Sequence, residues 1–270
     1  MPELPEVETT RLCLASQLIG RCITSVTLRR PDLRWPIPQE VRTLLLGQPV
    51  LGLRRRAKYL LLDVAPGSAV LHLGMSGCLR IVPKELPIGR HDHVDIGIDS
   101  GQAIRFTDPR RFGCLLWQPE GETHELLRDL GLEPFSPEFN GDYLYNRSRN
   151  RTVSLKTFLM NQAIVVGIGN IYAVESLYRA GITPSRAAGR VSRERYSRLA
   201  QAIKDILTLA INSGETTLRA FHHPDGMPGY FKQKLYVYGR AGEPCHSCGH
   251  LLNGSRLGNR ATVWCARCQR

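Results

Sequence analysis

Two short cysteine repeats near the end of the chain restrict its fold more than any other feature. Cys245-His-Ser-Cys248 and Cys265-Ala-Arg-Cys268 form two CxxC turns separated by sixteen residues. Each turn aims two sulfurs at one point, and four thiolates complete a tetrahedral Zn2+ shell. The residues between them predict a hairpin with too little apolar content to fold alone, so metal binding would supply its folding free energy. Two disulfides or a redox dithiol are the competing readings. An intracellular setting disfavours structural disulfides, and a paired CxxC is unlike a single redox motif. His246 and His250 could substitute as ligands, but Cys245, Cys248, Cys265 and Cys268 already fill the shell. Cys13, Cys22, Cys78 and Cys114 are scattered and read as small buried hydrophobes. The hairpin also carries Arg256, Arg260, Arg267 and Arg270 with almost no acid, a way of presenting cations to phosphate.

That local surplus of cations belongs to a wider one. The 270 residues hold 36 Lys+Arg against 24 Asp+Glu, a net charge of +12. Polyanions are the expected partners, nucleic acid first. Hydrophobic residues make up 42%, enough for a buried core and too many for a disordered tail. No apolar run reaches the length of a membrane-spanning helix, so no membrane partner is expected. MPELPEVETT carries three Glu and no apolar segment, which excludes a signal peptide and predicts a cytoplasmic protein.

The pattern along the chain predicts an α+β fold in three parts: an N-terminal β-sandwich with flanking helices (1–133), a helical domain (134–231) and the zinc finger (232–270). A helix runs from just after Pro5 to Gly20, with proline near its start and glycine at its end. Apolar runs at 53–64 and 69–75 flank Pro66-Gly67, and HVDIGID alternates with Val94, Ile96 and Ile98 on one face before a turn at Ser100-Gly101. The prolines of 130–140 mark a boundary. Beyond it, 155–166 reads as one helical stripe through Leu155, Phe158, Leu159, Gln162 and Val166, interrupted by GIGN at 167–170. Further helices are predicted up to Gly181 and from about Arg193 to Asn212, and LYVYGR reads as a short strand.

The N-terminus has chemistry of its own. Removal of Met1 would expose the secondary amine of Pro2, and an α-amine titrates at about 7.7–8.0, so a useful fraction is nucleophilic at neutral pH. Attack on a sugar C1′ would give an iminium intermediate, with Glu3 or Glu6 beside it as general acid. The plainer reading is an ordinary Met-Pro start with carboxylates complementing a helix dipole.

Taken together, MPELPEVET, RAKYLLL, HLGMSG, HDHVD, TDPRRFG, VVGIGNIYAVESL, PGYF, VYGRAGEPC and the terminal finger run in one order across the whole chain. In that order they resemble the bacterial formamidopyrimidine-DNA glycosylase family. The resemblance implies a bifunctional DNA glycosylase and AP lyase that excises oxidised purines from duplex DNA by base flipping. It makes Pro2 the Schiff-base nucleophile, Glu3 the proton donor, Lys58 the aid to β-elimination and Arg260 the group serving δ-elimination. Met75, Arg110 and Phe112 resemble the family's wedge, two side chains filling the gap while the Arg reads the widowed cytosine. His91, Arg151, Asn170 and Lys156 match DNA-contact positions, Asn170 in a helix–two-turns–helix motif. One structural Zn2+, damaged double-stranded DNA as partner, a monomer and a nucleoid-associated cytoplasmic location complete the expectation. The chain departs from the family in the 213–231 loop, where Glu215 stands at a common glycine and His222-His223-Pro224 is unusual. An endonuclease VIII-like pyrimidine specificity is disfavoured by Leu4 and the complete Arg110/Phe112 element. A non-catalytic nucleic-acid binder is disfavoured by the presence of Pro2, Glu3 and Lys58, and a zinc-ribbon RNA-binding module leaves the long β-domain unexplained.

Overall fold

A computed structural model describes residues 2–220 and 235–270, with residues 215–220 described as backbone only. The described residues form two compact units, one built on the chain up to Arg128, the other on Asp129–Ser213 with the segment ending at Arg270. Glu215 and His222-His223-Pro224 have no described side chains.

The first unit begins with helix α1 (Leu4–Leu18). Glu3 caps it: its side chain accepts from the backbone of Glu6, while its own N–H donates to Glu6 Oε2 at 2.8 Å. This reciprocal box satisfies two donors that a helix start leaves open. The helix starts one residue ahead of Pro5, and Ile19 ends it before Gly20 at φ +83°. Eight strands follow, with α2 (Gln39–Leu45) between the first two. They are β1 (Ile23–Leu28), β2 (Gly52–Arg56), β3 (Tyr59–Val64), β4 (Gly67–His72), β5 (Cys78–Pro83), β6 (Asp92–Ile98), β7 (Gln102–Thr107) and β8 (Cys114–Pro119). They form two antiparallel four-stranded sheets, ordered β1-β6-β7-β5 and β2-β3-β4-β8. Leu60, Leu62 and Leu71 of one sheet share a core with Ile96, Ile104 and Phe106 of the other and with Val7, Leu14 and Leu18 of α1. The expected sandwich is therefore present.

Two details of the strands differ from the sequence reading. The apolar run at 53–64 is two strands, because Ala57 adopts φ +55° and makes a two-residue turn with Lys58 between paired Arg56 and Tyr59. And β6 is buried on both faces. Val94, Ile96 and Ile98 face the core as expected, but Asp95 on the other face is covered by Arg29 and Arg105, which bind it.

A short helix α3 (Glu125–Arg128) closes this part of the first unit. In the second unit, α4 (Gly141–Ser148) is capped by Asn140, whose side chain accepts from Tyr143 N. Ser154 caps α5 (Leu155–Leu159) in the same way. The 155–166 stripe is helical only to Leu159. Asn161 Oδ1 then takes Ala163 N at 3.0 Å, and Gln162 bonds both Gly167 N and Ile168 O. Val166 N donates to Leu132 O at 3.0 Å, so tertiary hydrogen bonds override helical periodicity. Helix α6 spans Asn170–Arg179, and α7 spans Arg193–Ala220, longer than its expected end at Asn212. LYVYGR is not a strand. The N–H groups of Tyr236, Val237 and Tyr238 all donate to the carboxylate of Glu175 on α6, at 2.8 to 3.0 Å, so a helix side chain serves in place of a neighbouring strand. The finger's hairpin pairs β9 (Asn253–Leu257) with β10 (Arg260–Trp264). Among the described residues no helix is long and apolar enough to cross a membrane.

Candidate active site, DNA-contact loops and zinc centre

Pro2 is half-buried and Glu3 buried where α1 begins. The α1 surface is joined to the β2–β3 turn through one guanidinium: Arg55 Nε meets Glu8 Oε2 at 2.8 Å and Arg55 Nη1 donates to Ala57 O at 3.0 Å. That tie sets the turn carrying the buried Lys58 against the helix. His72, opposite Tyr59 on β4, lies within the field of Lys58. Burial, then the charges of Lys58 and Arg34, pushes its imidazole down to about 4, so the ring is neutral at neutral pH. Its Nδ1 accepts from Gly74 N at 2.9 Å. Burial also holds the neighbouring Cys114 thiol up at about 12 and protonated; of the four scattered cysteines it alone is buried, whereas Cys13, Cys22 and Cys78 are partly exposed, contrary to the expectation of buried hydrophobes.

Met75 lies on the loop after β4, and Arg110 and Phe112 on the loop before β8. The structure brings these loops together by close backbone approach. A Cβ on Gly74, at φ +63°, would stand 2.4 Å from Gly113 N and from the Phe112 carbonyl carbon, so only glycine fits. The buried carboxylate of Asp108 accepts from Ser76 Oγ at 3.0 Å, from Gly113 N at 2.8 Å and from Arg110 N at 3.3 Å, bracing both loops at once. Arg110 and Phe112 are left exposed, with the guanidinium 4.8 Å from the ring centroid. Asp108 and His72 escaped the sequence reading. Their signal was present in TDPRRFG and HLGMSG, but each depends on partners that only the fold supplies. His91, half-buried, ends the loop before β6, and its carbonyl accepts from Asp108 N at 3.0 Å.

In the second unit, Gly258 and Asn259 both take φ +57° and form the two-residue turn that precedes the exposed Arg260. Two side chains hold the strand just beyond it: Asn170 Nδ2 donates to Ala261 O at 3.0 Å, and Lys156 Nζ to Ala261 O at 3.0 Å and Thr262 Oγ1 at 2.7 Å. Lys156 is fully buried, and burial, then the charge of Arg260, brings its ammonium down to about 8. Its head faces finger backbone, away from solvent. Arg151 is exposed on the loop before α5, whereas Arg149 stacks 3.8 Å over Tyr145 and bonds Val191 O.

The sulfurs of Cys245, Cys248, Cys265 and Cys268 lie within 4.8 Å of one another. Zn–S bonds of about 2.3 Å in a tetrahedron require sulfurs about 3.8 Å apart. The pairs Cys248–Cys265 at 3.5 Å and Cys245–Cys268 at 3.9 Å fit that cage. Burial opposes ionisation of Cys245, but the Tyr178 hydroxyl and the amides of Ser247 and Cys248 outweigh it and bring the thiol to about 6. Cys268 is pushed up, by burial and then by its neighbouring thiols, a cost that a cation shared by the four sulfurs would remove.

Comparison with known proteins matches this geometry along the chain. Residues 1–115 match the profile of the formamidopyrimidine-DNA glycosylase N-terminal domain, 130–222 that of its H2TH domain, and 242–270 that of the zinc finger found in FPG and IleRS. Formamidopyrimidine-DNA glycosylases of Stenotrophomonas maltophilia and Xanthomonas campestris pv. campestris are 63% and 62% identical, each over the full length of both chains. A Lactococcus lactis FPG mutant, solved with Fapy-dG-containing DNA, superposes with a TM-score of 0.89 at 30% identity over the whole of both chains. The MutM (FPG) protein of Thermus thermophilus gives 0.85 at 35% identity, over 99% of this chain and 98% of that one. Sandwich, helix–two-turns–helix domain and four-cysteine finger define a DNA glycosylase with AP lyase activity, an enzyme of base excision repair. Within that class, the chain belongs to the formamidopyrimidine-DNA glycosylase family. The four cysteines hold its single structural zinc ion.

Proposed function

We propose that this enzyme excises oxidised purines, 8-oxoguanine and formamidopyrimidines, from duplex DNA and cleaves the strand at the resulting abasic site. The observation that carries the reading is the start of α1, where Pro2 precedes a buried carboxylate held in a capping box. After loss of Met1, the Pro2 nitrogen attacks C1′ of the flipped nucleotide. Glu3 supplies the proton with which the base departs, and the ring-opened sugar is held as an iminium on Pro2. Lys58 assists the β-elimination that breaks the 3′ phosphate ester, and Arg260 serves the δ-elimination that breaks the 5′ one.

Met75, Arg110 and Phe112 fill the space the extruded base leaves. Asp108, by joining their loops, gives that wedge its shape. His91, Arg151 and Asn170 grip phosphates. Lys156 acts by positioning: with Asn170 it fixes the strand that begins at Arg260. The chain divides functionally as 1–133, 134–231 and 232–270, and the enzyme works as a monomer in the cytoplasm, on nucleoid DNA.

Borohydride reduction on a duplex containing 8-oxoguanine opposite cytosine tests the reading. A covalent enzyme–DNA adduct is expected from the processed protein and none once its N-terminal amine is blocked by acylation, which turns the Pro2 nitrogen into a non-nucleophilic amide. An adduct that survives the blocked N-terminus would move the nucleophile elsewhere, and selective release of oxidised pyrimidines would overturn the lesion class.

A further inference from the structure

Arg105 of β7 is the largest fully buried side chain in the protein's described residues, and nothing in the excision chemistry uses it. Its guanidinium is occupied on two sides. Nε and Nη2 grip Asp95 as a fork, at 3.0 Å and 2.9 Å. Nη1 reaches out of the sheet and donates to the carbonyls of Leu86 and Pro87, both at 3.1 Å. Asp92 works from the same place: Nη1 of Arg105 lies 3.5 Å from Asp92 Oδ2, which accepts from Gly89 N at 2.8 Å, while Asp92 Oδ1 accepts from Thr107 Oγ1.

All these loop partners lie in the connection from β5 to β6. Residues 83–90 are exposed throughout, include the apolar Leu86 and Ile88, and lead into Arg90 and His91. Such a loop has little apolar burial of its own to hold one shape. A buried ion pair is also a poor means of stabilising a sheet, since well-packed apolar residues do as well or better. A guanidinium does what an apolar side chain cannot: its planar fork locks on Asp95 and leaves a donor aimed at two loop carbonyls.

We propose that Arg105 is a positioning residue for DNA binding, a latch that holds the 84–91 loop in the shape that presents Arg90 and His91 to the phosphate backbone. This rests on the reading of His91 as a DNA contact.

The test uses the full-length, zinc-loaded enzyme with Arg105→Lys, which keeps the charge opposite Asp95 but loses the fork and the reach to the loop. Amide exchange in the free enzyme is expected to quicken within 84–91 and to stay unchanged in the sheets. Affinity for lesion duplex should fall by about eightfold at 0.1 M salt, the counterion contribution of one phosphate contact, and the salt slope should drop by about one. His91→Ala should lower affinity similarly, and the double variant should lose no more than either alone.

Asp92→Asn, which leaves the Arg105–Asp95 fork intact, should loosen the same loop if Arg105→Lys fails to fold. Unchanged exchange in the loop for both variants, or losses from Arg105→Lys and His91→Ala that simply add, would overturn the latch. If His91→Ala alone leaves affinity and slope unchanged, the DNA-contact reading falls, and the loop's exchange still reports separately whether Arg105 tethers it.

Discussion

Glu3 shows how one side chain serves structure and chemistry together. As the cap of α1 it accepts a backbone N–H, and the same carboxyl is the proposed proton donor. Gln can keep the cap's acceptor but cannot give up a proton. Glu3→Gln should therefore fold with a melting temperature near wild type and lose 8-oxoguanine release by at least roughly a hundredfold. Strand cleavage at a ready-made abasic site should be partly retained. Parallel single-turnover assays on the two substrates check this, and equal loss of both would contradict the assignment.

His72 makes a prediction about pH. Its folded value, about 4, lies below the ordinary histidine value of 6.5. Between these values the unfolded chain takes up a proton that the folded protein refuses, so stability falls as pH drops from 6.5 toward 4. In denaturant titrations across that window, His72→Gln should remove roughly 2 kcal/mol of the decline.

At the scale of elements, the hairpin carrying Arg260 is held from outside by Lys156 of α5 and Asn170 of α6, and the segment leading to the finger by Glu175 of α6. Helices thus position the strand and turn that present the cation. Lys156→Met keeps the stem's bulk and removes the ammonium. The variant should stay folded, while exchange quickens across 258–264 and strand cleavage at an abasic site slows. If Lys156 acts through Arg260, Lys156→Met and Arg260→Gln should be strongly non-additive, with a coupling of about 1 kcal/mol or more in a double-mutant cycle. Additive effects would return Lys156 to a direct role with DNA.

At the scale of the whole molecule, the surplus of +12 becomes a set of exposed cations, including Arg110, Arg151 and Arg260. Affinity for lesion duplex should fall steeply as salt rises, because each neutralised phosphate releases counterion. Arg151→Gln should lower the log–log slope by about one without changing lesion preference. The zinc ion joins the finger to the same function. Chelation should unfold the finger and abolish duplex binding, yet leave the melting of the sandwich nearly unchanged, since the sandwich has a core of its own. A cooperative loss of both in calorimetry would show that the two units do not unfold independently.

Local chemistry carried much of this into the sequence. The CxxC spacing needs only two tight turns to make a metal site, the helix near the start is marked by its proline and by glycine at its end, and the alternation of 93–99 places Val94, Ile96 and Ile98 on one core face. The linear motifs likewise pointed to Pro2, Glu3, Lys58 and Arg260. What stayed hidden depends on groups far apart in the chain. The 155–166 stripe stops at Leu159 because its later residues bond Leu132 and the GIGN turn, and LYVYGR avoids a strand because Glu175, more than sixty residues earlier in the chain, takes its N–H groups. Asp108 as the brace of two loops, the burial of Lys156 and the latch at Arg105 have the same origin. Periodicity and spacing report which faces and turns a segment prefers. Where a buried polar group finds its partner is decided only when distant segments meet, because leaving that group unpaired costs more than giving up a turn of helix or a strand.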